Sequence, residues 1–276
     1  MFELPECVVL ARQVNETLKG KIIQEGRLAN SPHKFVWYNR SPEAFASLTK
    51  LKLMGEAYAK GRWIFIPLEP GYVLLLGEFG GKMYYHPAGS RAPKKYHLYI
   101  TLEDDSFFTV TTQMWGAMEL HEEGEGQKRE YVKRMKTTPI EPAFSLEYFS
   151  GLIHDLVAEK NRSVKSLLTQ DQIIPGLGNS IAQDIMFRAL LHPRHPIKDL
   201  TIDQIKVLYD AILTTTHEII DRGGRYDEVD LFNHSGGYVR MMDKNAAGNP
   251  CSHCGSIIEK MQYLGGACYF CPSCQI

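Results

Sequence analysis

Five of the six cysteines in this chain fall in its last 26 residues. Cys251 and Cys254 form one Cys-x2-Cys pair and Cys271 and Cys274 a second, with sixteen residues between the pairs. Each pair can present two thiolates to one ion, and the intervening residues suffice for a β-hairpin that returns the second pair to the first. This spacing predicts a four-cysteine structural zinc (Zn2+) site, whose ion has no open position for chemistry. Cys268 makes a third, overlapping pair with Cys271. It falls among the β-type residues Ala267, Tyr269 and Phe270, which favours 271 and 274 as the ligands. Only Cys7 lies elsewhere, whereas a disulfide framework would spread its cysteines along the chain. At the other end, MFELPE places Glu3 and Glu6 within six residues of the first amine. An amine beside carboxylates raises the prospect of an active site; the bland alternative is two first-turn acids favoured by a helix dipole.

A third candidate is IIPGLGNSIAQDI, where Pro175, Gly176 and Gly178 make a tight turn and Asn179 stands at the mouth of a helix. A helix start exposes unpaired N–H groups, and glycines let a phosphate oxygen approach the backbone. Asn179 as a plain N-cap is the competing reading.

The elements that must position these residues change character along the chain. Residues 7–18 carry apolar side chains at helical spacing, with Gly20 as a stop. Seven β-type runs follow: KIIQEGRLA, HKFVWY, RWIFIPL, YVLLLGEF, KMYYH, HLYITL and SFFTVTT, which suggest a β-sandwich or barrel. Between Leu120 and Pro142 the composition turns polar, with five basic residues from Lys128 to Lys136, as in a linker with a solvated face or a DNA contact. Beyond it the period is helical: SLEYFSGLIHDLVAEK, SVKSLLTQDQ, SIAQDIMFRALL and DQIKVLYDAILTTTHEIIDR.

The 276 residues, 44% apolar and 23% charged, are those of an ordinary folded protein with room for two domains. The net charge of −1 gives no global sign of a polyanionic partner, so any nucleic-acid surface must come from local clustering of the 31 Lys and Arg. No apolar run approaches the ~18–20 residues that cross a bilayer, and an acid stands where a secretory leader carries Lys or Arg. The expectation is a cytoplasmic protein with no membrane partner.

Taken together, ELPE at 3–6, AKGRW at 59–63, PGLGN at 175–179 and the terminal cysteine pairs followed by Gln275 resemble one family. It is the formamidopyrimidine-DNA glycosylase and endonuclease VIII family of base-excision repair. The resemblance implies an α+β fold: an N-terminal β-sandwich with flanking helices over 1–120, a linker over 121–143, a helix-two-turn-helix domain over 144–240, and a zinc finger over 241–276. It implies a monomer on damaged or abasic double-stranded DNA held in a cleft. By the same resemblance Glu3 is the catalytic acid beside the N-terminus. Lys60 contacts the lesion's phosphate, and Asn179, with Gly178, holds a backbone phosphate. Residues filling the gap left in the duplex map to Glu78 or Phe79, Gln113 and Trp115; Trp115 as a plain core residue is the alternative.

Other positions depart from the pattern. The family's nucleophile is an N-terminal proline, and Phe2 stands there; its finger arginine falls at Gly266. A lyase of this type needs an unprotonated amine to attack the sugar C1′. With Met1 retained, the amine lies one residue further out, about 3.8 Å along the chain, and Phe2 is expected to add a ring at the lesion site. Misplacement of that kind can cost about two orders of magnitude in rate. The expectation is therefore a damaged-DNA-binding protein with impaired lyase chemistry, its site made by Met1, Phe2 and Glu3. The alternative is an active DNA glycosylase using Glu3 with water, the Met1 amine or Lys60. A zinc ribbon for RNA or protein partners leaves Lys60 and PGLGN without a role. The stretch from Gly223 to Gly237 is expected among the loops of the lesion pocket.

Overall fold

The computed structural model describes every residue except 31–33, 79, 126–129 and 160. Helix α1 spans Leu4–Thr17. It begins one turn earlier than apolar periodicity alone suggests, because Pro5 in the first turn is preset for the helix and Glu3 and Glu6 form a capping box at its start. Leu10 and Val14, four residues apart, turn inward; burying each contributes roughly 1.5–3 kcal/mol.

The strands are β1 Ile23–Leu28, β2 Val36–Tyr38, β3 Leu53–Met54, β4 Tyr58–Lys60, β5 Trp63–Glu69, β6 Tyr72–Gly77, β7 Gly81–His86, β8 Leu98–Leu102, β9 Phe107–Thr112 and β10 Gly116–Glu122. They form a four-stranded sheet, β1-β8-β9-β7, and a six-stranded sheet, β2-β10-β6-β5-β3, with β4 paired to β5. Side chains of both sheets share one core, including Ile64, Leu76, Met83, Ile100 and Phe108, closed by α1 and by Phe45 of α2 (Pro42–Thr49). All seven expected strands form. Sequence reading misses α2, the short β3 and β4, and β10. The last is disguised by Glu119, a buried acid paired with His121 at 2.9 Å inside a strand covered along most of its length.

A second unit contains α4 Leu146–Glu159, α5 Val164–Thr169, α6 Asn179–Arg188, α7 Ile202–Asp221 and a hairpin of β11 Glu259–Tyr263 and β12 Gly266–Phe270. Its helices pack around Phe149, Leu167, Ile181, Ile185 and Ile212. The expected linker is not featureless: β10 runs on to Glu122 and α3 occupies Glu130–Lys133. Lys128 and Arg129, the start of the basic run, lie outside the described residues.

By compactness the chain divides into Met1–Met135 with Arg222–Gly237, and Lys136–Asp221 with Tyr238–Ile276. The return of 222–237 to the first unit differs from the expected helical segment of 144–240. Its anchor is a buried arginine, described below.

The six-stranded sheet depends on a close approach at Gly77, which faces Trp63 across the β5/β6 pair. A methyl group there would fall 2.1 Å from a ring carbon of Trp63. Gly77→Ala is expected to lower unfolding free energy by about 1–3 kcal/mol in urea titration, through displacement of that ring.

Candidate N-terminal site and cysteine cluster

Arg225 gathers the N-terminal site. Gly223 (φ 73°) and Gly224 (φ 104°) make a turn open mainly to glycine, and Gly224 brings its backbone beside the Glu6 side chain. The next residue, Arg225, is 1% exposed. Its Nε donates to Glu6 Oε1 and its Nη2 to Glu6 Oε2, both at 2.9 Å, a two-pronged pair. Nη1 lies 3.7 Å from Glu3 Oε1, and Nη2 lies 3.6 Å from Glu228 Oε1. Nη2 also donates to the carbonyl of Met1 at 3.1 Å, while the Met1 ammonium donates to Glu228 Oε1 at 2.9 Å. Two cations therefore meet three carboxylates. Burial by itself pushes the Glu6 carboxyl up, but the charge and hydrogen bonds of Arg225 outweigh it and hold Glu6 below its ordinary value. Burial likewise disfavours the Arg225 cation, and Glu6, Glu3 and Glu228 more than reverse that.

Phe2 is not at this site. Its ring is 2% exposed and packs in the core between the sheets with Cys7 and Leu10. The expectation of a bulky ring crowding a lesion is corrected: an apolar ring gains by leaving water, and the chain turns it inward while the backbone of Met1 stays with Arg225.

Lys60 lies half-buried on β4 opposite Trp63. Gln113 is exposed, its N–H donating to the Gly80 carbonyl at 2.7 Å. Trp115 is exposed, not core, and stacks on Trp37. Glu78 sits at φ 51°, 3.5 Å from Arg62 Nη1; Phe79 is outside the described residues.

In the second unit, Gly176 (φ 94°) permits the expected turn, and its N–H is taken by Gln172 Oε1 at 2.9 Å. Gly178 is the N-cap of α6 and Asn179 its first helical residue, so Asn179 is not the cap. Instead the Asn179 side chain donates to the Ala267 carbonyl at 3.2 Å, and Gln183 donates to the same carbonyl at 2.9 Å. Lys165, 1% exposed, donates to the Tyr263 carbonyl at 2.5 Å and the Gly266 carbonyl at 3.4 Å. These side chains seat the hairpin on α5 and α6. At Gly266 a methyl group would come within 3.2 Å of Asn179 Oδ1, so the absence of a side chain there makes room for the asparagine.

The sulfurs of Cys251, Cys254, Cys271 and Cys274 all lie within 4.8 Å of one another. Cys251 and Cys274 are 3.9 Å apart and Cys254 and Cys271 3.5 Å, close to the ~3.8 Å between thiolates around a tetrahedral ion with ~2.3 Å bonds. The four can hold a metal ion. Cys268 is buried on β12, outside this group.

Two family models account for most of the chain. The formamidopyrimidine-DNA glycosylase N-terminal domain matches residues 1–135, and the formamidopyrimidine-DNA glycosylase H2TH domain matches 137–229. The chain belongs to the formamidopyrimidine-DNA glycosylase family. The formamidopyrimidine-DNA glycosylase of Bacillus anthracis is 24% identical over 281 residues, covering 100% of this chain and 99% of the relative. That of Lactobacillus gasseri is 26% identical over 300 residues, covering 100% and 99%. Among solved structures, the Lactococcus lactis Fpg in complex with an abasic site containing DNA superposes with a TM-score of 0.86 at 20% identity, covering 99% of both chains. The Thermus thermophilus Fpg protein gives 0.82 at 22% identity, covering 99% of this chain and 98% of that one.

Within this family member, sequence reasoning missed Arg225, Glu228, Lys165 and Gln183. The adjacent glycines before Arg225 were the one available signal. The others are ordinary surface types whose burial comes from chain segments far away. Glu6→Gln should cost about 3 kcal/mol at pH 7, because a buried guanidinium loses its two-pronged partner. A carboxyl held below its ordinary 4.5 contributes stability that is present above that value and lost as the pH falls through the lower folded one. Urea unfolding should therefore show parent and variant converging only below pH 4.5.

Proposed function

We propose that this family member is a DNA-repair protein that binds damaged or abasic duplex DNA as a monomer, with its lyase chemistry withheld at Met1. The observation that carries this reading is the 2.9 Å ion pair between the Met1 ammonium and Glu228, with the Met1 carbonyl on Arg225. Attack on a sugar C1′ requires a nitrogen lone pair, and here the amine's protons face a carboxylate. Forming a Schiff base would require breaking the pair and releasing a proton. Glu3, two residues along the chain from the amine, lies 3.7 Å from Arg225. Lys60, Asn179 at the Gly178 cap, Gln113 and Trp115 are assigned to DNA by family correspondence; all are wholly or partly solvent-facing except Gly178. Cys251, Cys254, Cys271 and Cys274 are assigned to a structural zinc, supported by their mutual spacing. Such an ion, closed by four thiolates, holds the hairpin together and supplies no reaction.

Borohydride trapping on duplex bearing an abasic site tests the chemistry. The parent protein should bind without a covalent band, and Glu228→Gln should raise trapping by freeing the amine. A strong band from the parent would overturn the reading. Release of free base without strand cleavage would instead favour water activated by Glu3. Chelation should lower the melting temperature and DNA affinity together; an unchanged melt would remove the structural-metal assignment.

A further inference from the structure

Beside the N-terminal site stands an aromatic surface of which the reading above uses only Trp115. Phe35 and Trp37, two residues apart, project on the same side of the chain where it enters β2, while Val36 between them turns into the core. Trp115, the residue before β10, stacks on Trp37 with centroids 5.3 Å apart and planes 14° apart, and its ring centroid lies 4.8 Å from that of Phe35. All three remain open to solvent, at 37%, 47% and 42%. Met114, beside them in sequence, is exposed as well.

The arrangement is held firmly. The Gly116 N–H donates to the Phe35 carbonyl at 3.1 Å, and β2 and β10 run parallel with Val36 opposite Gly116. The Trp115 carbonyl accepts from Gly80 N–H at 3.3 Å. A methyl group on Gly80 would lie 3.5 Å from Met1 Cα and 3.9 Å from its nitrogen, so the rings begin one backbone hydrogen bond away from the amine. Lys34 adds a cation 4.9 Å from the Phe35 ring centre.

Trp37 and Trp115 cover one face of each other, and all three rings keep solvent-open area for a flat partner. Solvent-facing aromatic rings beside a cation are the features that bind unpaired nucleobases, which stack on any flat ring while the cation meets the phosphates. We propose that Phe35, Trp37 and Trp115 form a stacking platform for unpaired nucleobases of single-stranded DNA running outward from Met1. The proposal rests on the DNA-binding reading above. It adds that a strand splayed or unpaired next to the lesion is bound in preference to intact duplex.

Tryptophan fluorescence of the full chain, titrated with a short oligothymidylate and with a duplex of equal length, tests this. The chain has three tryptophans, and Trp63 is buried, so quenching reports the exposed pair. Trp37→Ala should weaken oligothymidylate binding by roughly 5- to 100-fold, the range expected for loss of one stacked base, with an unchanged melting curve. Trp37→Phe should restore most of it, and affinity for an abasic duplex should move less than about threefold, because that contact does not require the platform. Equal losses on single strand and duplex would overturn the platform, as would protein dimerisation that Trp37→Ala abolishes. If abasic duplex binds while Trp37→Ala leaves oligothymidylate binding unchanged, the platform fails and the DNA reading stands. If neither nucleic acid binds, both fail.

Discussion

A buried guanidinium cannot stand without carboxylates, and around Arg225 that requirement organises the first unit. Taking one unpaired charge out of water costs several kcal/mol, so Glu6, Glu3 and Glu228 are drawn to it from two distant parts of the chain. Glu6 serves twice, since the oxygen that accepts from Arg225 Nη2 also accepts from the N–H of Glu3 at the start of α1. The start of the first helix, the return of 222–237 and the position of Met1 are thus one electrostatic arrangement. The N-terminal amine is part of it through Glu228.

Phe2 and Met1 divide the two functions of the first residues between core and surface. The ring of Phe2 anchors the segment by burial, and the backbone of Met1 is held by Arg225. Phe2 is accordingly a packing residue. In the second unit, Gly266 without a side chain leaves space for Asn179, and Lys165 donates to the carbonyls of Tyr263 and Gly266 in the same hairpin turn.

Much of the architecture was legible from the residues. Strands such as RWIFIPL and YVLLLGEF announce themselves by β-branched, aromatic and leucine content, and all seven such runs form strands. The cysteine spacing carried most of its own geometry, because two Cys-x2-Cys pairs on a hairpin can meet at one ion, and Cys268 lies on the strand as its neighbours suggested. The missed elements are those whose reasons are not local. β4 is three residues long and exists because β5 lies beside it, and β10 carries a buried Glu119 that a pattern of apolar residues cannot anticipate.

Residue types and order by themselves determined the family resemblance, the metal-binding spacing and the two-part change from strand to helix. These are properties of short segments, readable because each depends on neighbours within a few residues. Only the folded chain decided that Phe2 packs inward, that Met1 pairs with Glu228, and that Arg225 meets Glu3 and Glu6 from more than 200 positions away in sequence. It also decided that Trp115 stacks on Trp37. Long-range pairs of charges and rings leave no local signature, since each member is an ordinary residue until burial removes water and makes its partner obligatory.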